Sequence, residues 1–303
     1  MRELVISKYE AGQRFDKFLA KYMELAPKSF FYKMMRKKNI TLNGKKAAGN
    51  EKLEKGDTVK LFLSEETIEG FREKKKRAVH TGAKLDILYE DEQVMLINKP
   101  AGMLSQKAEK GDISMVEHLI SHLLDTGEVT EEMLKTFRPS LCNRLDRNTS
   151  GIVAAGKTLQ GLQMLSGLFK ERTLHKYYLC IVKGVIKEEQ DVRGWLLKNE
   201  KTNQVRIFKN ETKDARPIHT KYRPLADNGQ ETLLEIELLT GRTHQIRAHL
   251  SYMGHPIFGD PKYGDAVFTC SFCMPGIWYF QSFPVILKDF PVKASTLRHR
   301  SSL

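Results

Sequence analysis

The chain is organised around the stretch Asn143-Arg144-Leu145-Asp146-Arg147-Asn148-Thr149-Ser150-Gly151. One carboxylate, Asp146, lies between two arginines and is followed by amide, hydroxyl and glycine residues, a composition typical of a tight functional loop. Residues 152–155 are a short apolar run of strand type, so the loop leads into a buried strand. By itself the pattern has two interpretations: a catalytic carboxylate, or a turn in which Asp146 bonds to nearby backbone.

Size and composition favour a globular protein with a substantial core. The 303 residues, 41% of them hydrophobic, suit two domains or one large domain with a small module. No stretch is long and apolar enough for a membrane span, and the first residues lack the apolar core of a signal peptide. We therefore expect a cytoplasmic protein that has no membrane partner.

Cysteine usage predicts neither a disulfide framework nor a metal site. The chain has 4 cysteines, and Cys142 and Cys180 have the surroundings of small apolar residues in strands. Cys270 and Cys273 form a single CxxC pair without a second pair or a histidine at ligand spacing, so zinc is disfavoured. We expect reduced thiols and no metal.

Positive charge is concentrated near the N-terminus. The net charge is +13, and residues 1–80 contain 20 Lys and Arg against 11 Asp and Glu, a difference of +9. A basic excess in one small module indicates a polyanionic partner, and without any lipid-anchoring feature nucleic acid is favoured.

The first 64 residues have the pattern of a small α/β module. Apolar spacing predicts one helix from Gln13 to Met23 and a second from Ser29, and a strand then enters an Asn43-Gly44 turn. The aromatic residues of both helices are assigned to the core. Residues 65–82 are charged without apolar periodicity and are predicted to be a linker before a domain over 83–303. The cations of the module that we expect to contact RNA are Arg14, Arg36, Lys37 and Lys38.

Alternating and helical apolar patterns in the second domain predict an α+β fold. Strands are expected at 85–89 and 94–98, helices around 116–123 and 159–169, and a half-buried strand over 234–238. Lys99, at the end of a strand, either contacts phosphate or caps the turn. Residues 187–230 are polar with strand-like pieces and no readable chemistry.

Two further segments carry polar groups at useful spacing. Lys176 and Tyr178 share one face of a predicted strand. A helix is predicted over 242–253 with Thr243 as its N-cap, and its spacing lets Arg247 project into a pocket and pair with Asp146.

Taken in order, these motifs resemble the pseudouridine synthases of the RluA type, which act on ribosomal or transfer RNA. The resemblance runs from about residue 85 to 264 and rests on residues 144–151, 176–178, 239–247 and 254–264. Asn143 departs from the histidine of many members, a change expected to affect a loop contact, and the tail from Ala266 onward matches the family poorly. The N-terminal module resembles the S-four-type RNA-binding domain of a small-subunit ribosomal protein. The resemblance implies a mixed, mainly antiparallel catalytic sheet flanked by helices. The protein is expected to be a monomer without an obligatory protein partner.

This resemblance implies a reaction that needs neither cofactor nor metal. The bond from the sugar to the ring nitrogen breaks and a ring carbon joins the same sugar, so Asp146 acts as nucleophile or as base against a sugar proton. Arg247 would keep the carboxylate charged, Tyr178 would stack on the uracil, and Arg144 would fill the space of the extruded nucleotide. The remaining substrate contacts by resemblance are Thr149, Lys176, Arg242 and His244.

Two alternatives come from other functional classes. The first is a non-catalytic RNA-binding or ribosome-associated factor, against which the intact Asp146, Tyr178 and Arg247 argue. The second is a glycoside-hydrolase-like enzyme, which would need a second carboxylate as acid. Its nearest candidate, Asp260, lies in a Gly-Asp-Pro turn, where a structural role is favoured.

Overall fold

The computed structural model describes residues 1–72, 80–109 and 111–264, and the backbone of residues 277–280. The chain divides into two compact units. The first contains Met1–Arg147 and Val153–Gly167, and the second contains Asn148–Ile152 and Leu168–Leu303.

The helices are α1 (Phe15–Tyr22), α2 (Lys28–Arg36), α3 (Glu65–Gly70), α4 (Met115–Asp125), α5 (Met133–Thr136), α6 (Leu159–Glu171) and α7 (Gln245–Tyr252). The strands are β1 (Arg2–Val5), β2 (Ile40–Leu42), β3 (Lys45–Lys46), β4 (Thr58–Leu61), β5 (Ile87–Glu90), β6 (Val94–Lys99), β7 (Ser140–Leu141), β8 (Thr149–Gly156), β9 (Tyr177–Lys183), β10 (Gln190–Asn199), β11 (Gln204–Phe208), β12 (Arg216–Asp227), β13 (Glu231–Leu238) and β14 (Ile277–Phe280). None of the helices in the described ranges is long and apolar enough to cross a membrane.

An antiparallel sheet of four strands, in the order β1-β4-β2-β3, forms the N-terminal part of the first unit together with α1 and α2. Both predicted helices of the module are confirmed, and α1 is shorter than the predicted range from Gln13 to Met23. Phe15, Phe18, Leu19 and Tyr22 are all buried because their spacing places them on one face of the helix. The aromatic residues of α1 therefore belong to the core, as predicted.

Helix α3 lies inside residues 65–82, the segment predicted to be a linker. The Ser64 side chain caps it by accepting a hydrogen bond from the Thr67 backbone N–H (3.2 Å), and Ile68 is fully buried in the core of the N-terminal module. Arg2 pairs with Glu65 and Glu69 on this helix. The core of the N-terminal module thus includes a residue of α3. A single buried residue in a short helix gives no apolar periodicity to detect.

The module packs on the rest of the first unit through polar contacts near α5. Thr136 donates a buried hydrogen bond to Glu10 (2.7 Å), the backbone N–H of Leu159 donates to Tyr9 (3.3 Å), and Arg72 pairs with Glu132 (2.8 Å). Deleting the module would uncover these groups, so its role in RNA binding is better tested by point substitutions.

The second part of the first unit is built on β6, which lies between β5 and β8 in the sheet order. Strand β5 pairs antiparallel with β6, and α4 begins where the backbone N–H and hydroxyl of Ser114 both donate to Glu117. In α6, a Cβ on Gly161 would lie 2.2 Å from the Gln93 carbonyl oxygen. Only glycine allows this helix to approach the chain before β6 so closely.

In the second unit the strands follow the order β11-β10-β12-β13-β9-β14, and all pairs in this run are antiparallel. Strand β14 also pairs in parallel with the first residues of β8, at Thr149 to Gly151. The predicted alternation in β13 is confirmed, since Leu234, Ile236 and Leu238 are buried between half-buried glutamates. Helix α7 joins the core through Ala248, which packs with Leu196 and Ile218.

The cysteines in the described ranges are free thiols. Cys180 is buried in β9, and Cys142 is half-buried directly after β7. Burial raises the pKa of both thiols, which keeps them protonated and unreactive. Cys270 and Cys273 lie outside the described residues, and so does most of the tail beyond Ala266. Within the described part, no cluster of side chains is able to hold a metal ion.

Candidate active site

The Asp146 loop connects β7 to β8 and is held at its centre by one serine. Leu145 is buried, and its backbone N–H donates to the Ser105 hydroxyl (3.0 Å) while that hydroxyl donates to the Leu145 carbonyl (2.7 Å). Asp146 is half-buried, and its neighbours Arg144 and Arg147 are exposed. The backbone beside Asp146 is therefore fixed by Ser105, and the carboxylate lies between two exposed arginines in the sequence.

The far side of the loop is tied to the turn after β6. The Gly102 N–H donates to the Arg147 carbonyl (2.8 Å), and Arg147 Nε donates back to the Gly102 carbonyl (3.0 Å). Lys99 Nζ donates to the carbonyls of Pro100 (2.9 Å), Met103 (2.8 Å) and Arg147 (3.2 Å). One lysine thus fixes the turn and the end of the Asp146 loop together.

Lys99 is fully buried, which decides between its two interpretations: a side chain with no exposed surface caps the turn and does not contact phosphate. Burial lowers the pKa of Lys99 to about 8, while the charge of Asp146 acts in the opposite direction. The ammonium group is therefore an electrostatic partner of the candidate catalytic carboxylate.

Replacing Lys99 with Met is expected to reduce the free energy of unfolding by about 1–3 kcal/mol, because buried carbonyl oxygens lose their donor. Relief of the cost of burying the charge offsets part of this loss. We also expect slower conversion, because the Arg147 end of the loop loses an anchor. Urea unfolding and single-turnover rates measure the two effects, and Lys84→Met, at an exposed position of the same unit, is the control. Unchanged stability and rate would contradict the anchoring role.

Tyr178 and Lys176 lie at the start of β9 in the second unit. Tyr178 is 9% exposed, and its backbone pairs with Ile236 of β13 and Tyr279 of β14. Lys176 directly precedes the strand and is half-buried. Burial lowers the pKa of Lys176, and the positive charge of Arg172 lowers it further.

Helix α7 begins later than the sequence predicts. Its N-cap is His244, in the left-handed region with φ 53°, so the prediction of Thr243 as N-cap was wrong. The turn is organised by the buried Gln245, whose side chain accepts from the Thr240 hydroxyl (3.0 Å) and the Arg242 N–H (3.1 Å). The same amide donates to the Thr220 hydroxyl (2.9 Å). No role for Gln245 is predicted from the sequence, because the position of a residue within a motif does not reveal its hydrogen-bond partners.

Arg247 projects from α7 onto the turn at residues 260–263, which follows this helix in the chain. Its Nε and one terminal nitrogen donate to the two oxygens of Asp260 (2.7 and 2.8 Å), and its guanidinium lies 5.2 Å from the centre of the Tyr263 ring. The Tyr263 hydroxyl bonds to His244 Nδ1 (2.8 Å). One face of α7 is therefore packed against residues 260–263.

Asp260 has the structural role expected of its turn. Burial alone would raise the pKa of Asp260, but Arg247 and the backbone N–H groups of Lys262 and Tyr263 lower it below its usual range. A general acid of a glycoside hydrolase needs a raised pKa. The electrostatics of Asp260 argue against that alternative.

The other predicted contact residues differ in accessibility. Arg144 and Arg242 are exposed, and so are the cations of the module, Arg14, Arg36, Lys37 and Lys38. Thr149 is buried with 4% exposure, so its side chain is not presented to solvent. Arg14 donates two hydrogen bonds to Asp16, which neutralises part of its charge. Asn143 accepts from the Ala154 N–H (2.8 Å), the kind of loop contact expected for this position.

Comparisons with known proteins agree with this fold. Residues 93–252 match the family described as RNA pseudouridylate synthase. The chain is 36% identical over 276 residues to ribosomal large subunit pseudouridine synthase C of Vibrio cholerae, covering 88% of this chain and 82% of that protein. Its identity to the Escherichia coli protein of the same name is 32%, with 88% and 80% covered. The structure of human RNA pseudouridylate synthase domain containing 1 has the same fold, with a TM-score of 0.52 and 23% identity over 65% of this chain and 77% of that chain.

The fold is that of an RNA-modifying isomerase, mixed in helix and mainly antiparallel sheet. The chain belongs to the RluA-type family of RNA pseudouridylate synthases. The predicted fold class, family and enzyme class are thereby confirmed, and RNA is the substrate.

Proposed function

We propose that this protein converts specific uridines of ribosomal RNA to pseudouridine. The relatives at 30–36% identity are named as enzymes of the large ribosomal subunit, and the alignments cover most of their length. The observation that carries the catalytic part is the Asp146 loop, which Ser105 and Lys99 hold at several backbone atoms. A carboxylate on a fixed loop is what attack on a ribose requires. The substrate is consistent with the cytoplasmic location expected from the sequence.

The proposed chemistry needs one ionised carboxylate beside the sugar. Asp146 acts either as nucleophile at the ribose or as base against a sugar proton, and the glycosidic C–N bond is exchanged for a C–C bond within the same nucleotide. No electron leaves or enters the substrate, so the chemistry calls for no redox cofactor. The charge of Asp146 opposes the lowering of the Lys99 pKa that burial causes.

Two further residues are proposed to act with Asp146 on the nucleotide. Tyr178 would stack on the uracil, and Arg247 would act as the cationic partner of Asp146. In this proposal Asp260 sets the plane of the guanidinium. Arg144, exposed on the loop, would fill the space left by the extruded nucleotide, since a stacked base hides its sugar bond. Lys176, Arg242 and His244 would contact the flanking backbone.

The N-terminal module would supply affinity for RNA through its exposed cations. Replacing Arg36 and Lys37 with Gln is expected to weaken RNA binding and to reduce the salt dependence of log K by about 1.4–1.8, because each phosphate contact adds about 0.7–0.9 to that slope. Lys38 is left unchanged because its φ of 59° makes substitution a backbone effect. Lys60→Gln is the control in the same module, since that ammonium is already paired with Glu3. Equal salt slopes for the two variants would remove the module from the proposal.

Base-resolution mapping of pseudouridine tests the choice of substrate. Cells that lack the protein should lose pseudouridine at defined positions of ribosomal RNA and regain it with the wild-type chain, but not with Asp146→Asn. Loss only at transfer RNA positions would contradict the ribosomal assignment, and no loss in any RNA would contradict the activity. The predicted monomeric state is tested separately by light scattering.

A further inference from the structure

A cavity of about 420 Å³ in the second unit is lined by a cluster of cations, of which only Arg242 was predicted from the sequence to contact the substrate. Arg172, Arg193, Lys209 and Arg242 line it, and none of its lining residues is acidic. All four of these side chains are exposed. We call this the cation pocket. Its floor is formed by the paired central parts of β10 and β12, where Gly194 pairs with Ile218.

Within the described ranges, none of the four cations makes an ion pair. Some other cations of the second unit are matched: Arg223 on β12 pairs with Glu235 (2.6 Å), and Lys187, between β9 and β10, pairs with Asp227 (3.1 Å). One carboxylate, Asp191, bonds to the lining residue His219 (2.5 Å) and forms no ion pair with any of the four cations. Four unmatched positive charges around one cavity repel one another and favour a polyanionic ligand.

The surroundings of the cation pocket extend this positive field. Lys176 Nζ lies 3.5 Å from the position of a Cβ on Gly241, the residue before Arg242. Burial lowers the pKa of Lys176, and the nearby positive charge of Arg172 lowers it further. The pocket is thus continuous with the segment that carries the proposed substrate contacts of this unit.

We propose that the cation pocket binds phosphodiester groups of the RNA strand at a position other than the nucleotide being isomerised. This rests on the proposed function, because it takes RNA as the ligand. Arginine recognises phosphate through paired hydrogen bonds, and three of the four cations are arginines. The cavity volume is within the range of about 300–1,000 Å³ typical of small-ligand sites, so there is room for a nucleotide unit. Trp195 on the lining offers an aromatic surface for a base.

The pocket is tested by equilibrium binding of the full chain to single-stranded oligouridylate over a range of salt concentrations. The double variant Arg193→Ala, Lys209→Ala is expected to raise Kd roughly tenfold, from two exposed charge contacts. It should also reduce the salt slope by about 1.4, because single strands contribute about 0.7 per phosphate contact. The charge-retaining variant Lys209→Arg should bind at least as tightly as the wild type.

The matched control is Lys201→Ala, Lys213→Ala, which removes the same charge from exposed positions that do not line the cavity. A pocket variant that equals this control in Kd and salt slope would overturn the proposal. So would a pocket variant that loses affinity for uridine monophosphate but keeps its affinity for oligouridylate, because the ligand would then be a free nucleotide. The binding result is independent of turnover. A wild-type chain that binds through the pocket but forms no pseudouridine would overturn the proposed function alone.

Discussion

Asp146→Asn is expected to lower the rate of pseudouridine formation by at least about four orders of magnitude, the scale of loss when a reacting group is removed. An amide has nearly the size of the carboxylate, so the contacts of Ser105 with Leu145 and of Lys99 with Arg147 should be kept. An amide can neither attack the sugar nor accept its proton at a useful rate. Single-turnover assays with tritium release or mass spectrometry of the product nucleoside measure this loss.

The same variant should still bind RNA, which separates the catalytic interpretation from the non-catalytic one. The control is Asp214→Asn, which makes the same chemical change at an exposed turn residue with φ 64°, a conformation that asparagine tolerates. It should retain full activity. If Asp146→Asn kept activity comparable to this control, Asp146 would be a structural turn residue and the proposed mechanism would be wrong.

Asp260→Ala is expected to reduce the free energy of unfolding by about 3–5 kcal/mol, the cost of leaving one partner of a buried ion pair uncompensated. Asp260 is 4% exposed and Arg247 is 15% exposed in their side chains, so solvent screens the stranded guanidinium only weakly. Denaturant unfolding measures the loss. Conversion should fall as well, because Asp260 holds the guanidinium that is proposed to contact Asp146. The exposed pair of Lys187 and Asp227 provides the control: Asp227→Ala should leave the unfolding midpoint close to that of the wild type.

Acid unfolding tests the same pair with a definite sign. The pKa of Asp260 is lowered in the folded protein, so the unfolded chain binds more protons as the pH falls. The stability that this group contributes is present above its unfolded pKa of about 3.9 and is lost as pH falls through the lower folded value. Asp260→Asn should flatten this part of the stability curve.

In both the wild type and Asp260→Asn, protonation of His249 lowers the free energy of unfolding over a different pH range. It is buried against Tyr222, and burial lowers its pKa to about 4, so its contribution is lost as the pH falls from about 6.5. The difference between wild type and Asp260→Asn below about pH 4 therefore isolates Asp260. Parallel curves there would contradict a charged, buried Asp260.

Regular spacing of apolar residues, either helical or alternating, was enough to predict many elements of the fold. The apolar spacing of α1 and α4 and the alternation in β13 are local properties, because burial of one face leaves a regular signature in the sequence. Helix α3 left no such signature with its single buried Ile68. The start of α7 was predicted from a good capping residue, Thr243, but the Gln245 amide satisfies that turn from inside the helix.

The sequence by itself determined the family, because the motifs around Asp146, Tyr178 and Arg247 occur in a specific order, and membership of the family gives the class of reaction. Only the tertiary structure decided how charges are matched. It buries Lys99 beneath the Asp146 loop, gives Arg247 the partner Asp260, and leaves Arg172, Arg193, Lys209 and Arg242 around one cavity. Such pairings join residues far apart in the chain, and electrostatic energy depends on distance and burial in three dimensions.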